Sequence, residues 1–501
     1  MAVLATRLER GLNEAWIRRF SPLSTGMDLF RAPRSLVCAL LAVGASALAA
    51  VERPNVLFIF ADDQRADTIA ALGNPAIKTP NLDRLVARGV AFERAYMMGG
   101  NNGATCVPSR AMLLSARPLP RIDEKLSRDE TWPHAFGTAG YATFMAGKWH
   151  NGPGSVGKSF QQARSLFVGG MTNPLKAKIN DLLPTGKLSP DRPCPKHLCE
   201  EATDEVLAFL RARDPAQPFF AYLAFDGPHD PHIVPEGFPV KYDPAAIPLP
   251  PNFLGQHPFN NGEMVIRDEQ LLPWPRRPEA IRAMLADYYR YISYLDAQVG
   301  RVLDALDASP AGRNTYVVFA ADSGVARGSH GLIGKQNLYE HSLRVPLIIA
   351  GPGVPAGRRT PALCYTFDVL PTLGKLCGVG APKTSEGQEF TAVLADPARP
   401  ARTELVFGYK RIQKAFSDGR WKLIRYPQVD RTQLFDLQAD PFETKDLSAE
   451  PDQAARVKEL LARLEVGLRV GGDQDPLTAA TTQPAAWSPP KRVPQPGEKG
   501  F

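Results

Sequence analysis

The sequence predicts an α/β fold: a large, mostly parallel sheet sandwiched by helices, followed by a smaller C-terminal α+β subdomain. Three observations carry this expectation. Four short apolar runs each lead into charged or imidazole residues. Residues 279–307 carry an apolar stripe of helical period. Near residue 400 the texture changes to short strand-like segments separated by turn signals.

The four runs are residues 56–60 (VLFIF), 141–145 (YATFM), 219–225 (FFAYLAF) and 316–321 (YVVFAA). Continuous apolar runs of this length read as strands buried on both faces, as in a parallel sheet covered by helices. The first is followed by Asp62 and Asp63, the second by Lys148 and His150, the third by His229 and His232, and the fourth by Asp322. In open α/β sheets ligands bind beyond the carboxyl ends of strands. Charged residues from four distant stretches are therefore expected to meet on one rim.

Between the runs, residues 81–88 read as a short helix stopped by Gly89. Residues 279–307 place Ile281, Leu285, Tyr288, Ile292, Leu295, Val299 and Val302 on one helical face, so its tyrosines are read as core. Residues 233–278 are rich in proline without periodicity and read as a long surface excursion. Residues 343–350 suggest a strand and 366–377 a helix. Residues 405–408, 413–417, 421–426 and 433–436 then read as strands, and 452–468 as a helix. The expected organisation is a leader over 1–50, a catalytic α/β domain over 51–400, an α+β subdomain over 401–470 and a disordered tail over 471–501.

Composition excludes several classes. Of 501 residues, 44% are apolar and 22% charged, so the chain is neither fibrous nor disordered. Mean hydropathy is −0.21, and only residues 36–50 (LVCALLAVGASALAA) are apolar enough to engage a membrane, which excludes a polytopic membrane protein. That run is short for a span, follows Arg31 and Arg34, and ends in the small-x-small triplet Ala47-Leu48-Ala49. It reads as an export signal, placing the mature protein outside the cell or in the periplasm, with no stable membrane insertion. The net charge of +7 falls to +4 without residues 1–50, which hold six arginines and three acids. That surplus is too small and scattered for a nucleic-acid partner. Of six cysteines, Cys38 lies in the leader. The local pairings Cys194–Cys199 and Cys364–Cys377 are the expected disulfides, with His197 as a bystander.

Adjacent carboxylates at a buried strand end repel each other and lose hydration unless a cation or several donors neutralise them. Asp62, Asp63 and, from another strand, Asp322 point to a hard divalent cation, Ca²⁺ or Mg²⁺. Cys106-Val107-Pro108-Ser109-Arg110 precedes an apolar helical stretch. Pro108 suits a first helical turn. Cys106 then sits at a helix N-terminus, where free N–H groups favour negative charge. Arg110 adds a planar cation suited to an anionic oxygen group.

These residues together resemble the sulfatase family of the alkaline-phosphatase-like superfamily. Cys106 to Arg110 matches the family's C-x-P-S-R signature. Arg53-Pro54-Asn55-Val56 through Asp62-Asp63 matches its opening strand and metal pair, and Gly147-Lys148-Trp149-His150 its G-K-W-H segment. Pro228-His229 matches the segment with a catalytic histidine. Gly331 to Lys335 with Tyr339-Glu340-His341 matches its H-G-x-x-G-K-Q-x-x-Y-E stretch. The matches run in order from about residue 53 to about 450, and LIGKQNLYEHSLRVPLIIAGPG is most similar to the iduronate-2-sulfatase-like and bacterial polysaccharide sulfatase branches.

The resemblance implies an enzyme that releases inorganic sulfate from a sulfate ester, with a sulfated carbohydrate as the expected substrate. It implies that a maturation enzyme converts Cys106 to formylglycine, whose hydrate attacks sulfur. The metal set would be Asp62, Asp63, residue 106 and Asp322, with Ca²⁺ first and Mg²⁺ second. Lys148 and Lys335 would hold the sulfate oxygens, Arg110 would orient the nucleophile, His150 would hold or deprotonate it, and His229 would protonate the leaving oxygen. His232 and His330 are left outside the catalytic set. One residue departs from the family pattern: Ser323, not Asn, His or Gln, follows Asp322. Two alternatives stay open, a phosphoryl or phosphonate ester hydrolase on the same scaffold and a weakly active or non-catalytic sulfated-glycan binder.

Overall fold

A computed structural model describes residues 53–490. The expected leader over 1–50 and the last eleven residues lie outside the described residues. Strands are numbered in chain order: β1 (Asn55–Ala61), β2 (Val90–Tyr96), β3 (Gly99–Gly100), β4 (Ala142–Lys148), β5 (Gln162–Phe167), β6 (Lys178–Ile179), β7 (Arg192–Pro193), β8 (Phe219–Ala224), β9 (Thr315–Ala321), β10 (Leu347–Ala350), β11 (Arg358–Tyr365), β12 (Leu405–Tyr409), β13 (Gln413–Ser417), β14 (Trp421–Tyr426) and β15 (Arg431–Asp436).

Eight strands form the main sheet in the order β11-β2-β10-β9-β1-β8-β4-β5. All pairs are parallel except those made by β10, which runs antiparallel to β2 and β9. The four apolar runs become β9, β1, β8 and β4, four neighbours at the centre. Their uninterrupted apolarity has a direct cause: both faces are covered. Val56, Phe58 and Phe60 of β1 pack into one core cluster, and Leu57, Ile59 and Ala61 into another on the opposite face. Each such large side chain contributes roughly 1.5–3 kcal/mol on burial. Helices Trp132–Thr138 and Val369–Leu376 cover the first face, and Leu198–Ala212 and Pro278–Asp307 the second.

A second sheet, β15-β14-β13-β12-β3, carries helix Ala454–Gly471 on one face. Its first four strands were expected. Its fifth, β3, comes from far upstream and ties this sheet to the loop leading into Cys106.

Several expectations are corrected. Gly89 does end helix Pro80–Arg88, but in an extended conformation, because the chain turns straight into β2 and a Cβ there would lie 2.2 Å from the Ile349 carbonyl oxygen. The segment 233–278 is more than a surface excursion: it buries Phe259 and Met264, and Glu269 in it accepts the Ile333 and Gly334 N–H groups at 2.9–3.1 Å. Residues 472–490, expected to be disordered, run as irregular chain held by Asn260 N–H to the Ala485 carbonyl at 2.8 Å and by Trp487 edge-on to Trp274. The expected disulfides are absent, since Cys194, Cys199, Cys364 and Cys377 are all free and buried. Cys199 is the second residue of its helix and its thiol turns to Asp226 Oδ1 at 2.9 Å, while Cys377 turns to the Pro54 carbonyl. His197 is not a bystander: it caps that helix, its Nδ1 accepting the Cys199 N–H at 3.2 Å.

Candidate active site

The site is built on the carboxyl ends of β9, β1, β8 and β4. The last residue of β1 accepts the Asp322 N–H at 3.1 Å, and Asp62 N–H donates to the Gly227 carbonyl at 3.0 Å, so the ends of three strands are stitched together. Asp63 then takes φ +63°, a conformation that costs a non-glycine residue energy and is tolerated best by Asp and Asn. It is held there from both sides. Its N–H donates to Asp322 Oδ1 at 3.1 Å, and its carbonyl accepts the Tyr288 hydroxyl at 2.6 Å. The reading of Tyr288 as core alone therefore missed its polar end; apolar periodicity carried no sign of it.

Asp62, Asp63 and Asp322 are each 2% exposed or less. Three cations from three other segments face them. Arg110, on helix Cys106–Ser115, donates through Nε to Asp322 Oδ2 at 2.9 Å and lies 3.5 Å from Asp62 Oδ2. It also donates to the Lys148 and Phe225 carbonyls. Lys148 Nζ pairs with Asp62 and donates to the Gly170 carbonyl at 2.6 Å. Lys335 Nζ reaches both Asp63 oxygens, at 2.6 and 2.8 Å. The two lysines expected at the sulfate oxygens are thus seated on the carboxylates. Lys148 can end β4 there because Gly147, at φ +97°, lets the strand approach β8; a Cβ would lie 2.0 Å from the Ala224 carbonyl oxygen.

Burial dominates the titration behaviour. It pushes the Asp62 carboxyl up, but Lys148 and Arg110 more than offset this and hold it well below the usual carboxylate range. Burial and the neighbouring Asp62 carboxylate raise Asp322 to about 6. Burial pushes the Cys106 thiol to about 11 despite Lys335 and Lys148. Burial and then Lys148 drive His150 to about 3, so its ring is neutral at physiological pH.

Cys106 opens its helix as expected, and its Sγ lies 3.2 Å from His150 Nδ1. His229 points Nε2 to within 3.6 Å of Asp63 Oδ2, and its Nδ1 is 2.8 Å from the Asp230 carbonyl oxygen, which places the proton on Nδ1. Ligand atoms of Asp62, Asp63 and His229 lie within 4.8 Å of one another. This compact group contains His229, expected as a proton donor, and omits Cys106 and Asp322. Asp322 instead joins through the Asp63 N–H and Arg110. Ser323 donates to Asp63 Oδ1 at 2.7 Å. Every expected residue thus falls in one cluster.

Sequence reasoning missed three supports. Ser109, inside the signature, donates to the Asp322 carbonyl at 2.6 Å. Gly170 accepts from Lys148, and a Cβ on it would meet the His150 ring at 2.8 Å. Glu269 anchors the backbone just before Lys335. The signature was the only available signal, and only for Ser109. His232 and His330, left outside the set, serve elsewhere: His232 meets Arg327 at 3.2 Å, and His330 stacks on Tyr339.

A family model described as Sulfatase matches residues 54–379, and one described as N-sulphoglucosamine sulphohydrolase, C-terminal, matches residues 328–469. A sulfatase of Formosa agariphila is 29% identical over 78% of this chain and 82% of its own length. An N-acetylglucosamine-6-O-sulfatase of Bacteroides thetaiotaomicron is 24% identical, covering 85% and 88%. A protein solved with its substrate D-glucosamine-2-N,6-O-disulfate superposes with a TM-score of 0.68 at 22% identity, over 85% of this chain and 99% of that one. This structural likeness is one of fold.

Proposed function

The chain belongs to the sulfatase family, and on that premise we propose that it is an exported hydrolase that releases sulfate from a sulfated glycan, using formylglycine at position 106 and a divalent cation. The single observation that carries the reading is the Cys106–His150 contact of 3.2 Å on the same rim as three buried aspartates, two of which, Asp62 and Asp322, are bridged by Arg110.

As a thiol, Cys106 is a poor nucleophile. Burial raises it to about 11, so almost none is thiolate at neutral pH. Formylglycine, installed by a maturation enzyme, would supply a hydrated aldehyde in its place. The neutral His150 ring, 3.2 Å from the residue-106 side chain, would hold that hydrate by a hydrogen bond. Arg110 keeps the helix start against Asp322 and Asp62, which fixes the direction of attack. Lys148 and Lys335, seated on Asp62 and Asp63, would supply the buried positive charge that stabilises the sulfate oxygens. With Nδ1 committed to the Asp230 carbonyl, His229 would present Nε2 to the leaving oxygen as the proton donor.

The donor set fits a hard cation. Ligand atoms of the buried Asp62 and Asp63 lie within 4.8 Å of one another, and Asp62 Oδ1 is buried without a hydrogen-bond partner. Asp62, Asp63 and Asp322 would hold Ca²⁺, with Mg²⁺ as the alternative, together with the residue-106 oxygen. The ion would supply Lewis-acid polarisation of the sulfate group. We read residues 51–400 as the catalytic domain and 401–470 as a smaller α+β subdomain. Among the described residues no helix is long and apolar enough to cross a membrane; export rests on the leader sequence.

Co-expression with a formylglycine-generating enzyme tests the reading. The tryptic peptide holding residue 106 should lose mass by exchange of sulfur for oxygen with loss of two hydrogens. The product should cleave an aryl sulfate, Cys106→Ala should not, and chelation should remove activity that calcium restores. A matured, calcium-loaded enzyme that cleaves aryl phosphate or phosphonate but spares aryl sulfate would turn the assignment to phosphoryl chemistry. A matured enzyme inert on all three would favour a glycan binder.

A further inference from the structure

Along the chain that leaves the catalytic rim lies a cavity of about 610 Å³, lined among others by Phe167, Thr172, Lys176, Lys178, Asn180 and Asp191. It is joined to the site through a few residues of chain. β5 ends at Phe167, which pairs in register with Lys148 and whose carbonyl accepts the Trp149 N–H at 2.8 Å. Three residues on, the Gly170 carbonyl accepts from Lys148 Nζ, and the Gly170 backbone lies against the His150 ring. Thr172, already on the cavity wall, follows two residues later, at most about 7 Å of extended chain.

The two lysines are presented by an ordered frame. Lys178 belongs to β6, which pairs with β7, and the Ala177 carbonyl accepts the Cys194 N–H at 2.8 Å. Ala177 and Ile179 are buried in a small cluster with Phe167, Cys194 and Leu198. Lys176, at the end of a turn closed by its N–H on the Asn173 carbonyl, and Lys178 are both exposed on either side of the buried Ala177. Neither ammonium has a carboxylate partner among the described residues. The one acid on the wall, Asp191, accepts from Asn180 Nδ2 at 3.0 Å. The cavity therefore offers two uncommitted positive charges. Met171 and Leu175, at 52% and 44% exposure, add apolar surface on the connecting segment.

We propose that this cavity is a subsite for a second anionic substituent, sulfate or carboxylate, on an oligosaccharide whose scissile ester lies at residue 106. The inference rests on the hydrolase reading above and narrows its substrate to a multiply charged sulfated oligosaccharide rather than a small monosulfate. Two charge contacts at a half-exposed cavity act on binding of the chain, not on the reacting bond, so they act on KM.

The test compares matured, calcium-loaded wild type with Lys176→Ala/Lys178→Ala and Lys176→Glu/Lys178→Glu. The substrates are an aryl sulfate and size-fractionated sulfated glycosaminoglycan di- and tetrasaccharides. A tetrasaccharide desulfated away from the scissile position distinguishes sulfate from carboxylate as the recognised group. Expected is an unchanged kcat/KM on aryl sulfate, with a KM for the tetrasaccharide raised about tenfold at retained kcat and further with glutamates. A tetrasaccharide KM equal to wild type, or a parallel loss on aryl sulfate, overturns the subsite. Calorimetric binding of the same tetrasaccharide to Cys106→Ala, with and without the lysine pair, reads the subsite even where turnover fails. Equal affinities there, or no binding, overturn it. Loss of aryl sulfate cleavage by matured wild type would instead strike the hydrolase reading.

Discussion

Arg110→Met removes one cation from a site in which three buried carboxylates face three buried cations. The guanidinium makes a 2.9 Å contact to Asp322, a 3.5 Å contact to Asp62 and bonds of 3.3 and 3.5 Å to the Lys148 and Phe225 carbonyls, and the residue is 1% exposed. Methionine fills much of the volume but leaves a net buried negative charge. Removing one partner of such a pair costs about 3–5 kcal/mol. With an unfolding entropy of roughly 2.1 cal/mol/K per residue over about 440 residues, one kcal/mol moves Tm by roughly 1 °C. The variant should therefore melt about 3–5 °C below wild type in a chelator, by scanning calorimetry. Calcium bound at the proposed site would neutralise the same carboxylates, so adding it should shrink the gap. Arg110→Lys should recover only part of it, because an ammonium cannot span both aspartates. The kcat/KM on aryl sulfate should fall by about 10² or more, the cost of a misplaced nucleophile. A variant melting with wild type in chelator would refute the claim that Arg110 balances the buried charge.

Three further outcomes follow from particular contacts. Gly170→Ala places a methyl against the His150 ring; kcat/KM should drop about 10- to 100-fold while stability falls by only about 1–3 kcal/mol, read by steady-state kinetics beside thermal unfolding. Lys422→Met removes the ammonium 2.9 and 2.8 Å from Glu340 and Glu443, leaving Glu340 only the Arg344 cation, at 3.6 Å, among the described residues, and should destabilise the protein by about 3–5 kcal/mol in denaturant unfolding at pH 8. Burial holds His257 at about 4, so the unfolded chain takes up its proton as pH falls from 6.5 towards 4 while the fold does not, and that part of the stability is lost across this window. His257→Gln should be less stable than wild type at pH 8, with the deficit narrowing by about 2 kcal/mol at pH 5; a constant deficit in urea titrations would contradict this.

The site depends on charges that are balanced before any ligand arrives. Lys148 and Lys335 each sit on an aspartate, and Ser323 donates to one of them. The hydroxyl in place of a longer side chain therefore has a partner within the site.

Legibility along the chain tracked burial. β1, β4, β8 and β9 are central and covered on both faces, so each shows as an unbroken apolar run. β5 and β11 are the two edges of the sheet, and β2 lies next to an edge. There the apolar pattern is interrupted by Glu93 and Arg94 in β2, Arg164 in β5, and Arg358, Arg359 and Pro361 in β11, and no strand was expected in any of them. β3 is two glycines, too short to carry any pattern. The helix Pro278–Asp307 was plain because its stripe persists over many turns.

The sequence by itself determined the chemical inventory: three aspartates, a cysteine at a helix start, two lysines, an arginine and two histidines, most at the ends of buried strands. Local periodicity and spacing suffice for that, because each signal spans a few residues. Tertiary structure alone decided that β9, β1, β8 and β4 are neighbours, that Lys335 lies on Asp63 across 272 residues, and that Gly170 lies against His150. Those pairings depend on how crossovers and helices pack over the sheet, and no pattern within a single segment encodes its distant partner.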